Sequence, residues 1–132
     1  MRITADTNVL VRALTEDDAA QSAVAQRLLA EAELVAVPSP VLCELVWVLS
    51  KGYRIPAAEI SDALRRLIDS PTVAVNRPAV DAGLALLDRG GDFADGVIAH
   101  EGRWLSGRTF VSFDKQAVTR LAEAGEPARL LA

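Results

Sequence analysis

Short apolar runs and longer stretches of helical periodicity alternate along the whole chain. "RITA" at 2–5, "LVAV" at 34–37, "TVAV" at 72–75 and "TFVSF" at 109–113 read as strands, and "ARLL" at 128–131 offers a fifth. Between them, "DAAQSAVAQRLLAEA" sets Ala20, Val24, Leu28 and Leu29 at helical spacing, and "PAAEISDALRRLIDS" sets Ile60, Leu64, Leu67 and Ile68 on one side. "SPVLCELVWVLSKG" opens with Ser39 as the expected N-cap and Pro40 at the first helical position, and stops near Gly52. "RPAVDAGLALLDRGG", "FADGVIAHEGRWLSG" and "DKQAVTRLAEAG" each end on glycine, as helix C-termini often do. Strands alternating with helices of this length imply crossover connections, so the class is α/β, with a mostly parallel central sheet of four to five strands flanked by helices.

Size and composition narrow this further. A chain of 132 residues, 51% of them hydrophobic, suits one compact domain spanning 1–132. No apolar stretch approaches the ~20 residues needed to cross a bilayer, and the start lacks a basic segment leading into a long apolar one. The expected location is therefore cytoplasmic, with no membrane partner. A lone cysteine, Cys43, excludes an internal disulfide and a Cys-rich zinc site, and its expected role is that of a small buried hydrophobe. There is no internal repeat or low-complexity linker. The net charge of -4 argues against a nucleic-acid binder built on a basic patch.

The acids carry the candidate chemistry. In open α/β sheets ligands bind beyond the carboxyl ends of the strands. Asp6 directly follows the first strand, Asp114 directly follows the fourth, Asp95 lies in the first turn of the helix near Phe93, and Glu44 lies about a turn into the helix after the second strand. Each has a plain structural reading. Asp114 and Asp92 are suited to capping helices, Asp6 can simply end a strand, and Glu44 can lie on a thin exposed edge flanked by Cys43, Trp47 and Ser50. Glu44 is the hardest to explain that way, because "VLCELVWVL" is otherwise aliphatic, cysteine and tryptophan, and burying an unpaired carboxylate is costly. A shared cation would account for all four acids, since converging carboxylates repel one another and hard oxygen ligands select Mg²⁺ or Mn²⁺.

"ADTNVLVR" around Asp6, the acid at Glu44, "DFADGVIAH" around Asp95 and "TFVSFD" ending at Asp114 resemble the four acidic motifs of PIN-domain nucleases, in particular VapC-type toxins of bacterial toxin–antitoxin pairs. The resemblance runs over essentially the whole chain and in the expected order. It implies a Mg²⁺-dependent endoribonuclease, with Mn²⁺ as an alternative ion, in which Asp6 and Asp95 are the principal metal ligands. Glu44 would be a ligand, directly or through water, or would position the attacking water, and Asp114 would complete the pocket. Thr7, Asn8 and Ser112 would support the site by hydrogen bonding, and Asp92 would support it from outside the ligand set. Further implications are a homodimer, a VapB-type antitoxin whose C-terminal segment covers the acidic groove, and a structured RNA substrate such as tRNA or ribosomal RNA. Two positions depart from the family pattern: Gly96 stands where a helix former is usual, at a cost of ~1 kcal/mol, and His100, expected to be a partly exposed helical residue, replaces a commonly small one.

With the four pocket acids set aside, acidic and basic residues are equal in number. Arg12, Lys51, Arg54, Arg103, Arg108 and Lys115 are then the cations to consider for backbone phosphates. Aromatic residues occur only singly, which favours recognition of RNA by shape.

Other enzyme classes fit less well. A haloacid-dehalogenase-like phosphatase wants a second aspartate where Asn8 stands, and a receiver domain wants a paired acid near Asp6. A Ser/His/Asp hydrolase would need His100 and a G-x-S-x-G elbow, which is absent. A PIN-like module that has lost activity is the non-enzymatic alternative, and loss of one of the four acids would be its simplest sign.

Overall fold

The computed structural model describes residues 1–132, whose backbone divides into two compact units, Met1–Val75 and Asn76–Ala132. In the first unit, β1 (Arg2–Thr4), β2 (Leu34–Ala36) and β3 (Val73–Ala74) pair in that order, all parallel, with Ile3 opposite Val35 and Val35 opposite Val73. Parallel neighbours need a crossover between them. Helices α1 (Thr7–Leu14) and α2 (Ala19–Glu31) carry the chain from β1 to β2, and α3 (Ser39–Trp47) and α4 (Ala57–Ile68) carry it from β2 to β3. Between α3 and α4, Val48–Gly52 forms a π-helical turn.

The buried side chains of this unit follow the two periodicities. Val35 and Val37 alternate inward from the β2 segment, Leu10 and Val11 face inward from α1, and Ile60, Leu64 and Ile68 recur at helical spacing in α4. Helix α2 departs from expectation: Ser22 and Ala25 are its buried residues, while Val24 is 69% exposed. Its stripe of Ala20, Val24 and Leu28 lines a groove of about 620 Å³, together with Asn8, Val9 and Arg12 of α1. At the start of α3, Pro38 rather than Ser39 is the N-cap; Ser39 is helical and buried, with Pro40 in the first turn. Cys43 is half-buried, not fully enclosed.

In the second unit, β4 (Phe110–Ser112) and β5 (Ala128–Leu130) pair in parallel, with α7 (Lys115–Glu123) as the crossover. The five expected strands are thus all present, hydrogen-bonded as a set of three and a set of two, with every pairing parallel. Helices α5 (Arg77–Asp88) and α6 (Phe93–Trp104) are joined by a tight connection in which Gly90, at φ +85°, takes a left-handed conformation that favours glycine. Leu86, Ala99 and Leu121 form a core, covered by Phe110, Ala124 and Ala128. Gly96 is no mere departure from helix propensity. A Cβ there would stand 2.5 Å from the Ala82 carbonyl oxygen and 2.8 Å from Gly83 Cα, so its absence lets α6 lie directly on the α5 backbone.

Candidate active site

The parallel ladder fixes the place of Asp6. Ala5 N–H still donates to the Ala36 carbonyl at 3.0 Å, which makes Asp6 the first residue beyond the sheet. Its backbone is extended, and its Oδ1 accepts the Thr7 N–H at 2.8 Å as the N-cap of α1. This bond uses one carboxylate oxygen, and the side chain as a whole remains exposed. Thr7 is buried beneath it, and Asn8 is exposed.

Glu44 overturns the premise that it is an enclosed acid. The buried side of α3 is Leu42, Leu45 and Val46, continued by Leu49, whereas Glu44 is exposed and Trp47 is 64% exposed. The apolar run therefore wraps around a helix with one open edge, where a carboxylate incurs little desolvation.

Three acids are brought into electrostatic contact in the second unit. Asp92 caps α6, its Oδ1 accepting the Ala94 N–H at 3.0 Å. Asp114 caps α7, its Oδ1 accepting from Gln116 N–H at 3.0 Å and Ala117 N–H at 3.2 Å. Ser112 supports this arrangement, since its Oγ accepts the Asp114 N–H at 2.9 Å. Asp95, in the first turn of α6, is half-buried and has neither a hydrogen-bond donor nor an ion-pair partner. Burial, followed by the like charges of Asp92 and Asp114, pushes its carboxyl up from the ordinary 3.8 to about 6. The influence of Asp92 on Asp95 went unread in the sequence, although their separation of three residues on a helix was a usable signal.

Other residues singled out in the sequence have settled roles. His100 is half-buried and its Nε2 accepts the Trp104 indole N–H at 3.1 Å, the arrangement of a helical histidine tied to its own helix. Two of the cations considered for phosphate contact are engaged with protein groups. Arg12 Nε donates to Gln21 Oε1 at 2.7 Å while its Nη1 pairs with Asp17 at 3.2 Å, and Arg103 pairs with Glu126 at 3.1 Å.

The donor chemistry fits a hard divalent ion. The candidate ligands are carboxylates, and Asp95 is under the kind of strain from burial and like charge that a cation relieves. No group of three or more His, Cys, Asp or Glu side chains is closed into a ligating cage.

Comparison with known proteins adds one family. The family model described as PIN domain matches residues 3–124, which takes in Asp6, Glu44, Asp95 and Asp114. Among curated proteins, none matches the chain.

Proposed function

The chain belongs to the PIN-domain family, a nuclease-type fold, and from that premise we propose that it is a Mg²⁺-dependent endoribonuclease, the toxin of a toxin–antitoxin pair. The observation that carries the reading is Asp95: it is a motif acid of a matched nuclease family, half-buried, unpaired and pushed up to about 6 by burial and by Asp92 and Asp114. Groups perturbed in this way by named causes concentrate at functional sites.

Residue roles follow from motif position and local geometry. Asp6 and Asp95 are assigned as the principal ligands of Mg²⁺, or of Mn²⁺ in its place, and Asp114 as a supporting ligand. Asp6 and Asp114 are held by cap bonds through one carboxylate oxygen, which fixes the carboxylate and leaves its Oδ2 outside the cap. Glu44, exposed at an open helix edge, is assigned to orient the attacking water by accepting its hydrogen bond. Ser112 holds the Asp114 backbone, and Thr7, whose N–H binds Asp6, holds that carboxylate in place. When bound, the divalent ion supplies an acidified water and charge stabilisation on the phosphodiester. In-line attack of water on phosphorus with departure of the ribose 3′ oxygen leaves a 5′-phosphate and a 3′-hydroxyl.

A VapB-type antitoxin and a homodimer belong to the same reading. The apolar groove between α1 and α2 begins at Asn8, two residues after Asp6, and suits a partner segment. Ile98, Leu105, Val111 and Phe113 of the second unit are each more than half exposed, an apolar excess consistent with self-association. No helix is long and apolar enough to cross a membrane. The proposed location is the cytoplasm and the proposed substrate a tRNA or ribosomal RNA.

The test is cleavage of labelled tRNA and ribosomal RNA by the purified protein in Mg²⁺ and in EDTA, alongside Asp95→Asn. Cleavage should require the metal, and the variant should lose more than the ~100-fold that removal of a ligand's supporting partner typically costs, while keeping its far-ultraviolet spectrum. Wild-type activity in Asp95→Asn would overturn the assignment.

A further inference from the structure

The helix carrying Glu44 continues into a segment with an unusual surface. Trp47 leaves 64% of its surface in water, one turn beyond Glu44. Lys51 follows Trp47 by one further turn, at the end of the π-helical stretch, and Arg54 comes three residues later. Both cations are exposed, and neither has an acid or acceptor paired with it. The stretch "WVLSKGYRIP" contains two basic residues and no acid, in a chain of net charge -4.

The backbone that presents these side chains is firmly held. Tyr53 N–H donates to the Val48 carbonyl at 3.1 Å, and Ile55 N–H donates to the Leu49 carbonyl at 3.0 Å. The Tyr53 hydroxyl donates to Asp17 Oδ2 at 2.6 Å, tying the segment to the α1–α2 connection. Arg54 sits between these two fixed residues at φ +55°, a left-handed conformation uncommon for a residue other than glycine. The fold thus maintains an unfavourable backbone geometry at an exposed residue with no hydrogen-bond or ion-pair partner, a pattern associated with functional surfaces.

We propose that Trp47, Lys51 and Arg54 form a seat for single-stranded RNA beside Glu44, with Trp47 stacking on an unpaired base and Lys51 and Arg54 binding backbone phosphates. This rests on the ribonuclease reading and adds to it a recognition site for single-stranded RNA. Lys51 lies ~10 Å along the helix from Glu44, close enough for one strand to occupy both. An aromatic face next to unpaired cations carried on a firmly held backbone is the combination that binds single strands with little regard to sequence. One exposed tryptophan is sufficient for one base, although no aromatic-rich segment exists.

The test is binding, which needs no turnover. Anisotropy of a labelled, mixed-sequence single-stranded RNA is measured in EDTA over a range of salt concentrations, for wild type, Trp47→Ala, Trp47→Phe and Lys51→Gln/Arg54→Gln. Trp47→Ala should weaken binding about 10-fold while Trp47→Phe retains most of it. The double variant should bind more weakly, and its plot of log affinity against log salt should be shallower by about 1.4. Unchanged affinity and slope would overturn the proposal. So would a Trp47→Ala variant that sediments as monomer where wild type is dimer while the double variant binds RNA normally, since Trp47 would then be a subunit contact. Mg²⁺-dependent cleavage lost in Asp95→Asn tests the ribonuclease reading separately, so either claim can fail alone.

Discussion

At the scale of single residues, Asp95 concentrates the consequences. Its carboxyl is pushed from 3.8 to about 6, so between roughly pH 4 and 6 the folded protein holds a proton that the unfolded chain has released. Stability without metal therefore falls as pH rises through that window, and the penalty is complete above it. Discounted for solvent screening, the cost is about 1 kcal/mol at neutral pH. Asp95→Asn should raise the melting temperature of the metal-free protein at pH 7.5 by about 3 °C and flatten its change between pH 4 and 6, as followed by calorimetry. A large fall in melting temperature would instead make Asp95 a structural acid. Metal binding needs the ionised carboxylate, so Mg²⁺ affinity measured by titration calorimetry should weaken as pH falls below about 6. Asp17 behaves oppositely. Hydrogen bonds from Tyr53 and then Thr15 hold its carboxyl below the ordinary range, so its contribution is present above the usual carboxylate range and is lost only in stronger acid. Tyr53→Phe should reduce that acid-limb contribution, the Thr15 bond remaining, in the same calorimetric series.

At the scale of elements, helix α6 shows a feature that a propensity scale cannot capture. Gly96→Ala would gain up to ~1 kcal/mol of helix propensity. It would also drive a Cβ into the Ala82 carbonyl and Gly83 backbone, and overpacking of this kind costs about 1–3 kcal/mol. The net effect expected in urea denaturation is destabilisation, and a more stable Gly96→Ala would show that the α5–α6 approach is not as tight as described. The positions of the strands and helices were legible in the sequence because each is short, periodic and bounded by turn residues. The cap roles of Asp92 and Asp114 were legible for the same reason, since helix starts have a chemical signature. Orientation was less so. Glu44 was read as embedded because its neighbours in sequence are apolar, yet Leu42, Leu45, Val46 and Leu49 turn the burial to another side. The Ala20–Val24–Leu28 stripe of α2 erred in the same direction: it has helical spacing but lines an open groove. In both cases the periodicity revealed a helix but not which neighbours would cover it.

At the scale of the whole molecule, the net charge of -4 is less informative than its distribution. Of the acids that match the family motifs, Asp6 and Asp114 follow strands and cap helices, Asp95 stands in a first helical turn and Glu44 lies within α3, while Lys51 near the end of the π-helical stretch and Arg54 in the loop after it are unpaired. An acidic chain can therefore combine the proposed metal-binding acids with the proposed phosphate-binding cations, and RNA binding should weaken with salt in proportion to the few cations involved. The pairing of the strands as three and two was beyond the reach of the sequence, because strand patterns specify faces but not partners. The most direct measurement is to incubate the purified protein, freed of any partner, with total cellular RNA in Mg²⁺ and to map new 5′-phosphate ends. EDTA and Asp6→Ala serve as controls. Discrete ends that require both the metal and Asp6 are the predicted result; ends that persist with EDTA or in Asp6→Ala, or no ends in a preparation that binds Mg²⁺ and RNA, would contradict the account.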